Sequence, residues 1–279
     1  MIKLALSDID DTLVHYGSGA TVEAVEAIHA MQDAGLHFAT ATGRVPSSIP
    51  SLLRGDQRAS ATTVCCNGQI VLLDGEVIAR EILPHDALVR VTEILRDEFG
   101  AVLTLYEEDD VSYGVGISGE ERADCSDIFW PETGVRPVVP DYEIVKANVH
   151  VKGTRERMAC IKEILVSEVP ELDFVYPNPT APLIDILPHG KNKATGADVL
   201  RKALGLEWDE VCAFGDAEND LTLLNAVPHS VAMANAMPEV ARMARWHIGS
   251  SAEDAVAGAL RDIAQASKTG SMPSFMSEE

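Results

Sequence analysis

The chain has 279 residues, 46% of them hydrophobic, and sets 22 Lys plus Arg against 44 Asp plus Glu, a formal net charge of −22. That length and apolar content support one large domain or two modest ones with real cores, and exclude a disordered chain. The acidic excess excludes the basic patch that a nucleic-acid surface needs, and no apolar run approaches membrane-spanning length, so neither nucleic acid nor membrane is expected as a partner.

The five cysteines are odd in number and form no CxxC pair, which fits a reducing compartment. Cys65-Cys66 lie together in an apolar run and read as small core residues. Few apolar residues precede Asp8, too few for a signal-peptide core, so a cytoplasmic location is expected.

In chain order, the apolar run 2–6 predicts a short buried strand that stops at Asp8-Ile9-Asp10-Asp11-Thr12. Strand alternation would place Asp8 and Asp10 on one face. Two carboxylates that close repel unless a cation lies between them, so the stretch is either a solvated turn or a hard-metal site. Thr21 then reads as the N-cap of a helix with Val22, Val25, Ile28 and Met31 on its apolar face, ended by Gly35. Residues 36–41 predict a second strand, and strand–helix–strand is the start of a parallel sheet. This strand runs into Thr42-Gly43-Arg44. Gly43 allows close backbone approach and Thr42 offers a hydroxyl, which suits an anion such as phosphate and equally an ordinary tight turn. A third strand over 63–66 ends at Asn67-Gly68, read as a turn, and a hairpin follows through Asp74-Gly75.

The texture changes at Pro84. Helices are expected at 86–99 and 154–167, and strands at 101–106, 111–117, 144–151, 172–176 and 182–187, with 119–140 irregular and acidic. This order differs from the strand–helix alternation on either side, so 84–187 is expected to be an inserted α+β domain, with the parent domain built from 1–83 and 188–279. The alternation resumes with Lys191-Asn192-Lys193, a helix at 194–204 and a strand at 211–214 ending in Gly215-Asp216-Ala217-Glu218-Asn219-Asp220. Further strands are expected at 229–233 and 246–248, helices at 238–244 and 253–266, and a frayed tail over 267–279.

In doubly wound sheets, ligands bind beyond the carboxyl ends of the strands. Three such ends here carry chemistry: Asp8/Asp10, Thr42-Gly43 and Asp216/Asn219/Asp220. Acids from separate strands would converge as oxygen ligands, which suits Mg2+ better than zinc. Lys193 and a hydroxyl beside them would hold a phosphate, and a carboxylate can attack phosphorus.

These segments resemble the haloacid dehalogenase (HAD) superfamily of phosphatases. Asp8-Ile9-Asp10-Asp11-Thr12 matches its DxDxT signature, Thr42 its Ser/Thr motif, Lys193 its lysine motif, and Gly215-Asp216 with Asn219-Asp220 its acidic motif. The contexts Ala41-Thr42-Gly43-Arg44, Cys66-Asn67-Gly68 and Pro188-His189-Gly190 resemble the Cof-like branch with its large cap. The resemblance implies an α/β fold: a doubly wound parallel-sheet (Rossmann-like) core with an inserted α+β cap that closes over a small phosphorylated metabolite.

It also implies roles. Asp8 would be the nucleophile and a metal ligand, and Asp10 the general acid/base, with its backbone carbonyl towards the metal. Asp216 would complete the protein ligands to Mg2+, with Asp220 supporting metal-bound water. Thr42, Gly43 and Lys193 would bind the phosphoryl group, and Asn219 would orient Lys193 or the phosphate. Arg44 would contact substrate or form an ion pair on its helix, and Asn67 would reach the phosphate or leaving group. Asp220 could instead simply cap the helix after it. If the acidic loop 107–110 faces the site, it argues against a highly anionic leaving group. Two departures stand out: Asp11 where this branch commonly has Gly, and Ala234-Asn235-Ala236 where it has Gly-Asn-Ala. The expected activity is Mg2+-dependent hydrolysis of a small phosphomonoester, such as a sugar phosphate, through an aspartyl-phosphate on Asp8. A phosphomannomutase-like mutase and a non-catalytic binding protein are the alternatives.

Overall fold

Buried apolar strands dictate the first unit. The computed structural model describes residues 1–15, 17–98, 100–107, 111–125, 127–128 and 133–277. Phe99, the 108–110 part of the acidic loop and the terminal Glu pair lie outside the described residues.

The chain divides into two units, Met1–Ala79 with Asn192–Glu279, and Arg80–Lys191. The sequence-based limits at 84 and 187 fall a few residues inside the second unit. The strip between is held there by Arg80–Glu143 and Lys191–Glu81 ion pairs and by the Leu83 N–H donating to Ile144 O.

The first unit opens with β1 (Leu4–Ser7), α1 (Val22–Asp33) and β2 (His37–Ala41). Short helices α2 (Ile49–Leu52) and α3 (Gln57–Ser60) lead to β3 (Thr63–Cys65), β4 (Ile70–Leu73) and β5 (Glu76–Arg80). Thr21 caps α1 by accepting the Ala24 N–H at 2.9 Å. Asp74 and Gly75 both take positive φ (51° and 86°), the geometry of a two-residue hairpin turn.

The second unit holds α4 (His85–Leu95), β6 (Ala101–Tyr106), β7 (Ser112–Val115), α5 (Gly119–Asp124), β8 (Gly134–Arg136), β9 (Lys146–Val151), α6 (Arg155–Glu168), β10 (Leu172–Val175) and β11 (Leu183–Pro188). Its six strands run in the order β10-β11-β9-β6-β7-β8 and are antiparallel except for β7–β8. Leu103, Leu105, Val149, Ile184 and Ile186 pack against Leu88 and Val91 of α4 and Ile161 and Leu165 of α6. The stretch expected to be irregular contains α5 and β8. Ser118 and Glu121 form a capping box at the start of α5, a Ser-x-x-Glu signal present in the sequence.

The first unit then resumes with α7 (Lys193–Ala203), β12 (Val211–Gly215), α8 (Leu221–Ala226), β13 (His229–Met233), α9 (Pro238–Met243), β14 (Trp246–Ile248) and α10 (Ala255–Thr269). Its eight strands run in the order β14-β13-β12-β1-β2-β3-β4-β5, parallel from β14 to β3. Strand order reverses at β1, with β2 on one side and β12 on the other. Such a switch point opens a crevice beyond the carboxyl ends of the strands. This is a doubly wound α/β core, as expected from the alternation.

The terminal tail is not frayed as far as it is described. Gly270 closes α10 at φ +71°, and residues 274–276 form a short turn with Met276 buried. Phe275 lies 6.2 Å from the Phe214 ring, and Ser274 Oγ donates to Asp262 Oδ2 at 2.7 Å. Two apolar anchors after a polar stretch carry too little periodicity to be read from sequence.

No described helix is long and apolar enough to cross a membrane.

Candidate active site

Asp8 follows the last residue of β1, and its N–H donates to Phe214 O on β12 at 3.0 Å. The chain then folds back on itself: the Leu13 N–H donates to Asp8 O and the Val14 N–H to Ile9 O. That tight turn needs one residue in the left-handed region, and Asp11 supplies it at φ +58°. Asp tolerates this region better than most residues. The substitution for the commoner Gly is thus accounted for by local geometry. The Asp11 carbonyl receives the Asn235 side-chain N–H at 2.7 Å, while Asn235 Oδ1 accepts the Ser251 N–H at 3.0 Å.

Lys193 is the first residue of α7. Asn192 caps that helix, its Oδ1 accepting the Ala194 and Thr195 N–H groups. The helix reaches the sheet through glycine. A Cβ on Gly196 would lie 2.6 Å from Val64 Cγ1 and 2.7 Å from Gly68 Cα; one on Gly68 would lie 2.1 Å from Asn192 O. Gly68 ends three consecutive residues at positive φ, with Cys66 at 49°, Asn67 at 51° and Gly68 itself at 100°. The Asn67-Gly68 turn of the sequence is therefore a seat for α7 as well as a turn.

This seat delivers the Lys193 ammonium, fully buried, to two carboxylates: Asp8 Oδ1 at 2.6 Å and Asp220 Oδ1 at 2.7 Å. Asp220 Oδ2 turns back to accept the Asp216 and Ala217 N–H groups at 3.0 and 3.1 Å. It does not cap the helix that follows it. Its position depends on Gly215, where a Cβ would lie 2.6 Å from both Asp220 Cβ and Cγ. Thr12 Oγ1 donates to Asp216 Oδ1 at 2.7 Å, tying the first motif to the last.

Asp8, Asp216 and Asp220, all buried, offer carboxylate oxygens within 4.8 Å of one another. The sequence-based ligand set is Asp8 and Asp216 through their carboxylates and Asp10 through its backbone carbonyl, with Asp220 in support. In the structure the Asp220 carboxylate joins the cluster, whereas the Asp10 carboxylate pairs with Arg44 through Nε–Oδ2 at 2.7 Å and Nη2–Oδ1 at 2.8 Å. Arg44, in the bend after β2 and outside any helix, thus makes its ion pair across the site.

Burial, then repulsion from Asp220 and Asp216, pushes the Asp8 carboxyl well above its usual range, with Lys193 opposing. Asp216 is pushed up to about 7 by burial first and Asp220 next. Burial alone would lower Lys193, but Asp220 and Asp8 outweigh it and hold the ammonium charged. Three acids facing one ammonium leave the cluster short of positive charge. An all-oxygen, electron-rich donor set of this kind fits a hard divalent cation such as Mg2+.

Thr42 is buried at the end of β2. Its N–H donates to Val64 O at 2.8 Å, and its Oγ1 accepts the Arg44 N–H at 3.2 Å, so the hydroxyl proton can still be donated. The half-buried Gly43 lies between Thr42 and Arg44. Thr42 O in turn accepts the Asn67 N–H at 2.8 Å. Asn219 is expected to orient Lys193 or the phosphate; its side-chain N–H donates to Asn67 Oδ1 at 3.0 Å, while Lys193 is held by Asp8 and Asp220. Asn219 Oδ1 is buried and has no hydrogen-bond partner among the described residues. The glycine contacts that build the site and the bond from Thr12 to Asp216 escape sequence reasoning, which shows Gly68 only as a turn residue and Thr12 and Gly215 only as motif positions.

A family model described as haloacid dehalogenase-like hydrolase matches residues 5–260. The chain is 25% identical over 252 residues to an HMP-PP phosphatase of Escherichia coli O6:H1, covering 86% of this chain and 87% of that one. It is 24% identical over 261 residues to a phosphoglycolate phosphatase of Methanothermobacter thermautotrophicus, covering 91% and 95%. The crystal structure of SMU.1108c from Streptococcus mutans UA159 matches with a TM-score of 0.80 at 21% identity, covering 93% of this chain and 98% of that one, a likeness of fold.

Proposed function

This chain belongs to the haloacid dehalogenase-like hydrolases, as a phosphatase of that family, and from that premise we propose that it hydrolyses a small phosphomonoester with Mg2+, through a phosphoryl group carried on Asp8. The observation that carries the reading is the buried cluster of Asp8, Asp216 and Asp220 at the switch point of the sheet, with Lys193 bound to Asp8 and Asp220.

Asp8 and Asp216 would hold the ion with the backbone carbonyl of Asp10, and Asp220 would lie beside them. The ion supplies charge neutralisation of the phosphoryl oxygens when bound. Asp8 attacks phosphorus, and the bond from phosphorus to the leaving oxygen breaks with its electron pair on that oxygen, which takes a proton from Asp10. A water then attacks phosphorus, giving its proton to Asp10 as the Asp8–phosphorus bond breaks and phosphate leaves. Lys193 pairs with charge on Asp8 and on the phosphoryl oxygens, while the Thr42 hydroxyl donates to the same group.

The substrate would be a small phosphorylated metabolite, a sugar phosphate or a related ester. The two relatives carry names for different phosphate substrates, an HMP-PP phosphatase and a phosphoglycolate phosphatase, so a panel of leaving groups is the direct probe. The test is phosphate release from a panel of phosphomonoesters with Mg2+ or with EDTA, for wild type and Asp8→Asn. Metal-dependent release that disappears in the variant supports the reading. Release unaffected by Asp8→Asn overturns it.

A further inference from the structure

We propose that Arg44 is a positioning residue for Asp10: it fixes the plane of the carboxyl group that exchanges the proton, and does not itself bind substrate. The inference rests on the reading above that Asp10 gives and takes that proton.

The geometry is specific. Arg44 meets Asp10 through Nε and Nη2, one nitrogen on each oxygen, at 2.7 and 2.8 Å. A two-point guanidinium–carboxylate contact fixes the direction and the rotation of the carboxyl plane, which a single ion pair does not. Each carboxyl oxygen has two lone-pair sites, and the fork uses one on each, so one on each remains for the travelling proton. Asp10 needs such an anchor because of where it stands. It lies in the turn beyond β1, one residue before the left-handed Asp11.

Arg44 is held in turn at its backbone. Its N–H donates to Thr42 Oγ1 at 3.2 Å, and its carbonyl accepts the Cys66 N–H at 2.9 Å. The chain of contacts therefore runs from the end of β2 and the α7 seat, through the guanidinium, to the carboxyl group of Asp10. The fork commits the Nε/Nη2 edge of the guanidinium to Asp10 and not to a substrate oxygen. The pair is about one-third exposed, with side-chain exposures of 37% for Arg44 and 29% for Asp10. It is thus open to solvent, unlike the fully buried Lys193–Asp220 pair.

The test is the dependence of kcat/KM on leaving-group basicity. A series of aryl phosphates from p-nitrophenyl to p-methylphenyl phosphate, together with glycerol 2-phosphate, would be run for wild type, Asp10→Asn, Arg44→Met, Arg44→Lys and the Asp10→Asn/Arg44→Met double variant. p-Nitrophenolate leaves without a proton, whereas the more basic oxygens need one. The expected result is that Arg44→Met loses turnover increasingly along the series, up to about 100-fold at its basic end, with KM little changed. Arg44→Lys, which cannot form the fork, would fall between. The double variant would lose no more than Asp10→Asn alone, because Arg44 acts through Asp10.

A uniform rise in KM with a wild-type slope would make Arg44 a substrate contact and overturn the proposal. So would additive losses in the double variant. A flat slope in Asp10→Asn itself would instead remove the proton-transfer role of Asp10, a failure distinct from that of Arg44.

Discussion

Gly196, at the end of the first turn of α7, rests on Gly68 so closely that a Cβ on the first would stand 2.7 Å from the Cα of the second. Three residues earlier on the same helix, Lys193 meets Asp8 and Asp220. The contact between two residues without side chains therefore sets the depth at which the ammonium enters the carboxylate cluster.

Gly196→Ala should lift α7 from its seat and move Lys193. The expected cost is about 1–3 kcal/mol, the usual range for overpacking, with a fall in turnover. Gly258→Ala in α10, where nothing lies within 4 Å of the new Cβ, should be neutral or stabilising by about 0.5–1 kcal/mol through helix propensity. Urea unfolding of the two variants separates a packing effect from a general effect of alanine.

Gly215→Ala acts on Asp220 directly, since the new Cβ would lie 2.6 Å from Asp220 Cβ and Cγ. Displacing Asp220 removes the acceptor of two backbone N–H groups and one partner of Lys193. The variant should lose at least about 1–3 kcal/mol of stability and bind Mg2+ more weakly. Calorimetric titration with MgCl2 beside wild type checks the second effect.

Lys193→Met leaves Asp8 and Asp220 buried and facing Asp216 without their ammonium. Removing one partner of a buried ion pair typically costs about 3–5 kcal/mol. Turnover should be lost, and Mg2+ should raise the melting temperature of this variant by more than that of wild type. An equal rise in both would mean that the ion does not occupy the carboxylate cluster.

The pH dependence follows from two raised carboxyls. Asp216 is pushed up to about 7 by burial and Asp220, and Asp8 rises well above its usual range for the same reason. A carboxyl raised in the folded state holds its proton longer there than in the unfolded chain. The contribution of these groups to metal-free stability is therefore most favourable below the unfolded carboxyl value, about 4, and declines as pH rises through about 7. Denaturation of metal-free protein at about pH 5 and about pH 7.5 should show the decline. Asp216→Asn should flatten it, and Mg2+ should reverse most of it at the higher pH.

Much of this was legible in one dimension. The strand–helix alternation marks a parallel sheet, the changed order after Pro84 marks an insertion, and acids immediately after apolar runs mark strand ends at the ligand-binding edge. These signals are local: they depend on periodicity and on residue type at a turn. The partnerships were less legible. Asp220 was read either as a helix cap or as a support for metal-bound water, and its backward turn to Lys193 and to two N–H groups depends on residues far away in sequence. Asn219 reads in sequence as a partner of Lys193 or of the phosphate, and its bond to Asn67 spans 152 positions of sequence.

By itself, then, the sequence determined the α/β class, the order of the strands that carry the chemistry, and the residue types at their ends, because backbone geometry and hydrophobic periodicity are written within a few residues. Only the tertiary structure decided which carboxylates face one another, which of them receives Lys193, and that Asp10 is claimed by Arg44. Those pairings arise from the close approach of α7 to the Cys66–Gly68 turn and of Asp220 to Gly215. Contacts at that range exist only once the parallel strands lie side by side, and no local pattern records them.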